Sequence, residues 1–378
     1  ADLVGQLLGL DFSASPAVRA WLGSESFGEL ATAHLAEYLW AMASEPTAIF
    51  LEDVHWADDS SLDLLDHLVG AVPDTRLLVV CLARPSLFER RPSWGEGQLG
   101  HTQIELKPLS RRASRALVGE ILQKTGGVPD ELRDLIVEGA EGNPFYVEEL
   151  IKMLIEDGVI LVGEDHWSVE LERLAEVRVP PTLTGILQAR LDSLPREEKT
   201  VLQRASVVGR VFWGAAVAEL ANDKGEATHA DKLLNDARNR ELIFRRERSV
   251  FEATDEYIFK HALLRDVTYE TVLLKLRRVY HAQVAQWLEG IAGERISEYL
   301  SLIARHCELA GETEKAAGLF RRLGEESLQV GAFRDAVRAF ERALALVPAV
   351  DHDQVQGTST TRPDADLAER AILLVNLG

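Results

Sequence analysis

The sequence predicts a multidomain fold. A fragment of an α/β core, built as a parallel sheet with flanking helices, is followed by mostly α structure: a helical lid, a winged-helix-like domain and helical repeats. Three observations carry this reading. Two continuous apolar runs, residues 48–54 and 77–83, bracket a stretch of helical periodicity. From Ser110 onward the pattern is helical, and two short β-like runs, Leu242–Arg246 and Tyr257–Phe259, then stand among helices. Apolar residues at three-to-four-residue spacing mark one face of a helix, whereas short unbroken apolar runs between turn signals mark buried strands.

Taken in order, Leu30, Leu35, Leu39 and Met42 give a covering helix over 28–43, stopped before Pro46. After the first strand, Asp58, Asp59 and Ser60 offer N-caps, and Leu62, Leu65 and Val69 mark the helix that leads to the second strand. Strand, helix and strand with short links form a parallel crossover. The helical stretch from Ser110 to about Gly158 breaks at Gly126-Gly127 and at Gly142-Asn143-Pro144. Residues 159–169 alternate around Gly163-Glu164-Asp165 as a small hairpin. Helical patterns follow over 182–194, 197–208, 215–220 and 230–240, then the two short strands flanking a charged tip, which together suggest a winged helix. Residues 261–288 read as helix. Over 298–347, Gly331, Phe333, Ala336, Phe340, Ala343 and Pro348 fall where a tetratricopeptide-like repeat alternates small and bulky residues. The polar stretch 351–366 reads as a linker and 367–377 as a further apolar helical run. The resulting segments are 1–110, the C-terminal part of an NTPase-like α/β core; 111–178, lid and hairpin; 179–290, winged helix; and 291–378, repeats.

Composition narrows the function classes. The chain has 378 residues, of which 46% are hydrophobic and 27% charged, with two cysteines, Cys81 and Cys307. That is enough for several cores, and no run approaches a membrane span, so a cytoplasmic protein without membrane contact is expected. Neither a disulfide framework nor a zinc site is implied. A formal net charge of −20 opposes general affinity for nucleic acid. Both ends of the sequence fall in mid-pattern and read as cut.

The chemistry concentrates where the first apolar strand ends in Glu52-Asp53. An unpaired carboxylate loses more on burial than a neighbouring apolar side chain gains, so the pair belongs at the open carboxyl end of the strand. In open α/β sheets that rim faces the ligand crevice, where Mg²⁺ on a nucleotide would be held. An acidic turn that caps the next helix accounts for the pair equally well.

Four segments, LEDVHWADDSSLDLL, VVCLARPSLFE, EGNPFYVEELIKMLIEDGVI and FKHALLRDVTYETVL, together resemble the STAND branch of AAA-related P-loop ATPases. More closely, they are similar to the region attached to bacterial class III adenylate/guanylate cyclases and LuxR-type regulators. The resemblance implies that Glu52 and Asp53 are the Walker B pair, one holding Mg²⁺ and the other polarising the attacking water. It implies that Arg84 is a sensor-like arginine beside the γ-phosphate. By the same likeness Gly142-Asn143-Pro144 is the GxP-type element, with Pro144 packed on adenine and Asn143 beside it. His261 corresponds to the winged-helix histidine that touches the β-phosphate, in a motif where Ala262 replaces an acidic residue.

The chain departs from that pattern in one respect. It contains no GxxxxGK[ST] loop, whose backbone N–H groups and lysine cradle phosphates. In the family that loop lies upstream, so it would fall before Ala1, and the chain by itself is expected to bind ATP poorly. The sequence therefore leads to a nucleotide-switched signalling module whose repeats bind a partner or inducer. A winged-helix DNA-binding regulator, supported by Arg238, Arg240, Arg245, Arg246 and Arg248 but opposed by interleaved acids, and a non-catalytic repeat scaffold are the alternatives.

Overall fold

The computed structural model describes residues 2–7, 12, 14–21, 26–43, 45–70, 76–97, 100–174, 177, 179–221, 224–330 and 332–347. Gly331, Pro348, the polar stretch 351–366 and the apolar run 367–377 lie outside the described residues. The chain forms two compact units, one of residues 1–103 with 281–378 and the other of residues 104–280.

In the first unit, helices α1 (Asp2–Leu7), α2 (Pro16–Arg19) and α3 (Ser26–Met42) enclose a small core of Leu3, Val18, Phe27 and Ala31. Strand β1 (Thr47–Leu51) pairs in parallel with β2 (Leu77–Cys81), and α4 (Asp59–Gly70) lies on the crossover between them. The ladder continues past β1, since Leu82 N donates to Leu51 O at 2.8 Å and Val54 N to Leu82 O at 3.0 Å. Leu51 and Cys81 pack on Val54, Leu62 from α4 and Leu87 from α5 (Ser86–Arg90). The continuous apolar pattern predicted strands buried on both faces. Instead only one face is covered by described residues, and on the other Phe50 is 69% exposed and Leu78 59%.

The second unit begins with α6 (Arg111–Ile121), α7 (Asp130–Ala140) and α8 (Pro144–Glu156), followed by the two-residue strands β3 (Ile160–Leu161) and β4 (Ser168–Val169) and α9 (Leu171–Leu174). Their apolar stripes share one core that includes Leu122, Leu132, Ile136, Val147, Leu150 and Leu154. There follow α10 (Leu183–Ser193), α11 (Arg196–Val208), β5 (Val211–Trp213), α12 (Gly214–Glu219), α13 (Lys224–Asn239), β6 (Ile243–Arg245), β7 (Glu256–Phe259) and α14 (Ala262–Glu270). The sheet order is β5-β7-β6, all antiparallel. β5 is an addition to the two expected strands. It buries Phe212 against Tyr257 and Phe259 on the central strand, with ring centroids 5.6 and 5.3 Å away.

The helix read over 261–288 is interrupted at Val272-Leu273, giving α14 and then α15 (Leu274–Ala292). Side chains satisfy the carbonyls freed at this break. Gln203 Nε2 donates to Thr271 O at 3.3 Å and Arg277 Nε to Val272 O at 2.8 Å.

From His281 the chain belongs to the first unit again, with α16 (Ile296–Ala310), α17 (Thr313–Gln329) and α18 (Phe333–Leu346). Consecutive helices pack as pairs, and Phe340 of α18 presses its ring on Gly324 of α17, where a built Cβ would lie 2.6 Å from it. A bulky residue opposite a glycine lets helices approach closely, the packing device expected of such repeats. In this unit α18 also meets α4. Asp335 accepts from Asp59 N at 3.4 Å, from Ser60 N at 3.3 Å and from Ser60 Oγ at 2.5 Å, so it satisfies first-turn amides that the local N-cap Asp58, which accepts from Ser61 N at 2.6 Å, leaves over. Arg338 pairs with Asp59 at 2.5 Å and Arg334 with Asp63 at 3.3 Å.

Candidate functional site

The strand-end cluster of the first unit is built from the β1 and β2 termini. Glu52 follows β1 directly and is exposed, while Asp53 is half-buried. Asp53 has φ 56°, a left-handed backbone that aspartate tolerates better than most side chains but that still costs energy. The turn continues as a single 3-10 turn, Val54–Trp56, which buries Val54 and His55. Both ring nitrogens of His55 are buried without a hydrogen-bond partner. Burial, reinforced by the positive charges of Arg84 and Arg90, lowers the His55 pKa, so the ring is neutral near pH 7.

Arg84 itself lies exposed just beyond β2, and its carbonyl accepts Leu87 N at 3.0 Å at the start of α5. Arg90 Nη2 donates to Ala57 O at 2.6 Å, and Arg91 pairs with Asp59 at 3.2 Å and Asp63 at 2.6 Å. Arg90 at the end of α5 and Arg91 just past it thus tie this segment to the start of α4. Sequence reading missed both; a pair of basic residues at a short helix end carries no periodic signal.

Glu52 and Asp53 are the residues of this cluster that could hold a cation. Among the described residues no group of three or more His, Cys, Asp or Glu side chains is arranged for a metal. Mg²⁺ takes one or two carboxylates and draws its other ligands from phosphate and water, so two acids at a strand end fit the metal-facing side of a nucleotide site. The phosphate-cradling loop has no counterpart in the sequence.

The second cluster lies wholly in the unit of residues 104–280. Asn143 is the N-cap of α8, with Oδ1 accepting from Phe145 N at 3.0 Å and Tyr146 N at 3.4 Å, and Pro144 occupies the first helical position. Gly142 has φ 81°, and a Cβ there would lie 2.5 Å from Leu109 O, so the close approach of the extended segment at Leu109 demands glycine. Leu109 N donates to Gly142 O at 2.8 Å across that approach. Pro144 and Asn143 are exposed, whereas Tyr146 is buried and donates its hydroxyl to Pro180 O at 2.6 Å.

His261, the residue before α14, packs its ring on Phe145 with centroids 3.6 Å apart. Three residues singled out from sequence, Asn143, Pro144 and His261, are thereby brought to one place through Phe145, which sequence reading did not select. His261 Nε2 is buried without a partner, and burial, opposed by Glu149 and aided by Lys260, Lys152 and Arg210, lowers its pKa to about 4. Beneath it lies a charge network. Glu149 and Arg190, both almost fully buried, form an ion pair, and Arg190 also reaches Glu156 at 3.0 Å. Glu241 bridges Lys152 at 2.8 Å and Lys260 at 3.1 Å, and those two hydrogen bonds hold its carboxyl at about 2.

Three of the five arginines that favoured a DNA contact are engaged locally. Arg245 pairs with Asp255 at 2.6 Å, Arg246 with buried Glu256 at 2.5 Å, and Arg240 with Glu198 at 2.9 Å. Those three, already matched by carboxylates, have little to offer phosphates.

A family profile described as a domain of unknown function, DUF8739, matches residues 110–168, from the start of α6 to β4. An uncharacterized protein of Rhizobium meliloti is 27% identical over 305 residues, covering 80% of this chain and 28% of that protein. The peroxide stress-activated histidine kinase mak3 of Schizosaccharomyces pombe is 22% identical over 314 residues, covering 79% of this chain and 13% of its own length. The chain thus spans less than a third of these curated relatives. Among solved structures, a Signal Transduction ATPase with Numerous Domains (STAND) protein with a tetratricopeptide repeat sensor from Pyrococcus horikoshii is similar at 14% identity and a TM-score of 0.43. That alignment covers 86% of this chain and 46% of that one.

Proposed function

We propose that the chain is the regulatory part of a larger STAND-type signalling protein in which ATP with Mg²⁺ biases the arrangement of the domains and the helical repeats take a protein partner or inducer. The observation that carries this reading is the meeting of the Asn143-Pro144 element with His261, separated by 117 positions (261 − 144) and joined by the 3.6 Å Phe145 contact. These are the lid and winged-helix elements that the motif resemblance assigns to one nucleotide. Glu52 or Asp53 would hold Mg²⁺, and Arg84 would face the γ-phosphate. A bound Mg²⁺ neutralises phosphate charge and orients it. A ligand shifts such a switch only through contacts that differ between the two arrangements, and the terminal phosphate supplies them. The long histidine-kinase relative is compatible with a place inside a larger signalling polypeptide. A cyclase or a transcription regulator as output is the finer part of the proposal.

Equilibrium binding of Mg-ATP to this chain and to the longer natural polypeptide tests it. The reading requires a Gly-rich loop ending in Lys-Ser or Lys-Thr in the longer protein, with binding there that is lost when that lysine becomes alanine. Equal, weak binding by both proteins would withdraw it. A repeat scaffold without nucleotide chemistry is then the better reading, favoured by the absence of a phosphate loop from this chain and by the close α17–α18 packing. Under the scaffold reading, Glu52→Ala with Asp53→Ala leaves partner capture by the repeats unchanged.

A further inference from the structure

The corner between α14 and α15 carries a surface that neither nucleotide chemistry nor repeat packing uses. Leu273 is 70% exposed and Leu274 74%, and Leu276 and Val279 are exposed beside them. Four large aliphatic side chains within seven residues are an unusual concentration on a soluble surface, where such residues normally stand singly. Lys275 and Arg278 are exposed among them, and neither forms an ion pair among the described residues.

Charge sets this segment apart from the rest of the chain. With 61 acidic residues in 378, the protein averages about one in six, yet residues 271–288 contain none, while Lys275, Arg277 and Arg278 fall within that run. The corner is also held rigid from behind. Gln203 Nε2 donates to Thr271 Oγ1 at 2.9 Å and Thr271 Oγ1 donates to Thr268 O at 2.6 Å. Arg277 folds back to Glu270 at 3.1 Å and lies over the Tyr269 ring, 4.4 Å from its centroid, with Arg265 on the same ring at 4.7 Å. Arg277 is therefore committed to the fold, and Lys275 and Arg278 are left to face outward. A rigid platform loses little conformational entropy on binding.

We propose that Leu273, Leu274, Leu276 and Val279 with Lys275 and Arg278 form a docking surface for an acidic amphipathic helix of a partner protein. The aliphatic side chains would receive the partner's apolar stripe, as in helix-in-groove recognition, and the two unpaired cations would meet its flanking Asp or Glu side chains. Lipid or nucleic acid suits the site less well. Two cations are few for an anionic bilayer, and exposed leucines contribute nothing to phosphate contacts.

The test uses the whole chain and a fluorescein-labelled helical peptide of about 18 residues, with Leu at every third or fourth position and Glu between them. Saturable binding is expected, weakened several-fold between about 50 and 500 mM salt. It should fall about tenfold in Lys275→Glu/Arg278→Glu and again in Leu274→Ser/Leu276→Ser. All four side chains are exposed, so both variants should keep the parent melting temperature; if one does not, the other decides. No saturable binding, affinities within about twofold of the parent in a folded variant, or binding to phosphatidylserine vesicles or duplex DNA at lower concentration than to the peptide would each overturn the proposal. None of these outcomes depends on the nucleotide reading.

Discussion

The strand-end cluster and the unit of residues 104–280 use the same residue types to opposite ends. At the β1 terminus Glu52 stands exposed, Asp53 sits on a left-handed backbone and His55 keeps two buried nitrogens unpaired. In residues 104–280 the buried carboxylates Glu149 and Glu256 are matched by Arg190 and Arg246. A buried ion pair cannot lose one partner cheaply, whereas an exposed acid at a strand end contributes little to the fold. The first region is therefore the one whose charges should be removable at small cost, and the second the one whose charges should not.

The largest effect that could break this contrast is at Arg190. Arg190→Met leaves buried Glu149 with only the longer 3.6 Å contact to Lys152 and removes the partner of Glu156, and should destabilise the 104–280 unit by about 3 kcal/mol, read by denaturant unfolding or hydrogen exchange of α8. Adding Glu149→Met should return most of it; no recovery would mean that the pair is not the unit of stability. Next, Gly142→Val combines a β-branched residue at positive φ with a clash against Leu109 O and should cost about 2–4 kcal/mol by the same measurement.

A pH effect follows from His261. Its folded pKa of about 4 lies below the ordinary 6.5 of the unfolded chain. Its contribution is thus full above pH 6.5 and is lost as pH falls from 6.5 toward 4, because the unfolded chain takes up the proton first. Melting temperatures of the parent should fall over that window by the equivalent of about 2 kcal/mol. His261→Phe should flatten this dependence; an unchanged slope would place its source elsewhere. The smallest effect is at the strand end. Glu52→Gln should change stability by less than about 0.5 kcal/mol, and Asp53→Gly should raise it by about 0.5–1 kcal/mol by relieving the left-handed aspartate. A large loss from either would make these acids structural and weaken the contrast.

Much of this was legible in residue order. The two apolar strands, the breaks at Gly126 and Gly142 and the hairpin around Gly163 all carry local signals, because turn glycines and short apolar runs act within a few residues. What escaped was non-local. β5 is three residues wedged between helices, so Val211–Trp213 falls in the gap between the helical patterns 197–208 and 215–220 and gives too short a run to read as a strand. Nothing near Arg190 or Glu149 in sequence marks either as buried or reveals its partner 41 residues away. The apolar composition of β1 suggested burial on two faces, yet Phe50 shows that composition reports what a face tolerates, not what covers it. Of the candidate site, residue types at strand ends and helix starts were readable. Phe145 as the residue joining Asn143-Pro144 to His261 was not, because an aromatic at the second position of a helix is ordinary.

The carboxylate of Asp335 that closes the first turn of α4 lies 275 positions after Ser60. During synthesis, α4 leaves the ribosome with its local Asp58 cap, and until α18 arrives the amides of Asp59 and Ser60 have water in place of Asp335, and Asp59 has one basic partner fewer. Full satisfaction of this helix entrance is therefore tied to completion of the repeats, and a chain released before residue 335 would carry α4 closed by Asp58 alone.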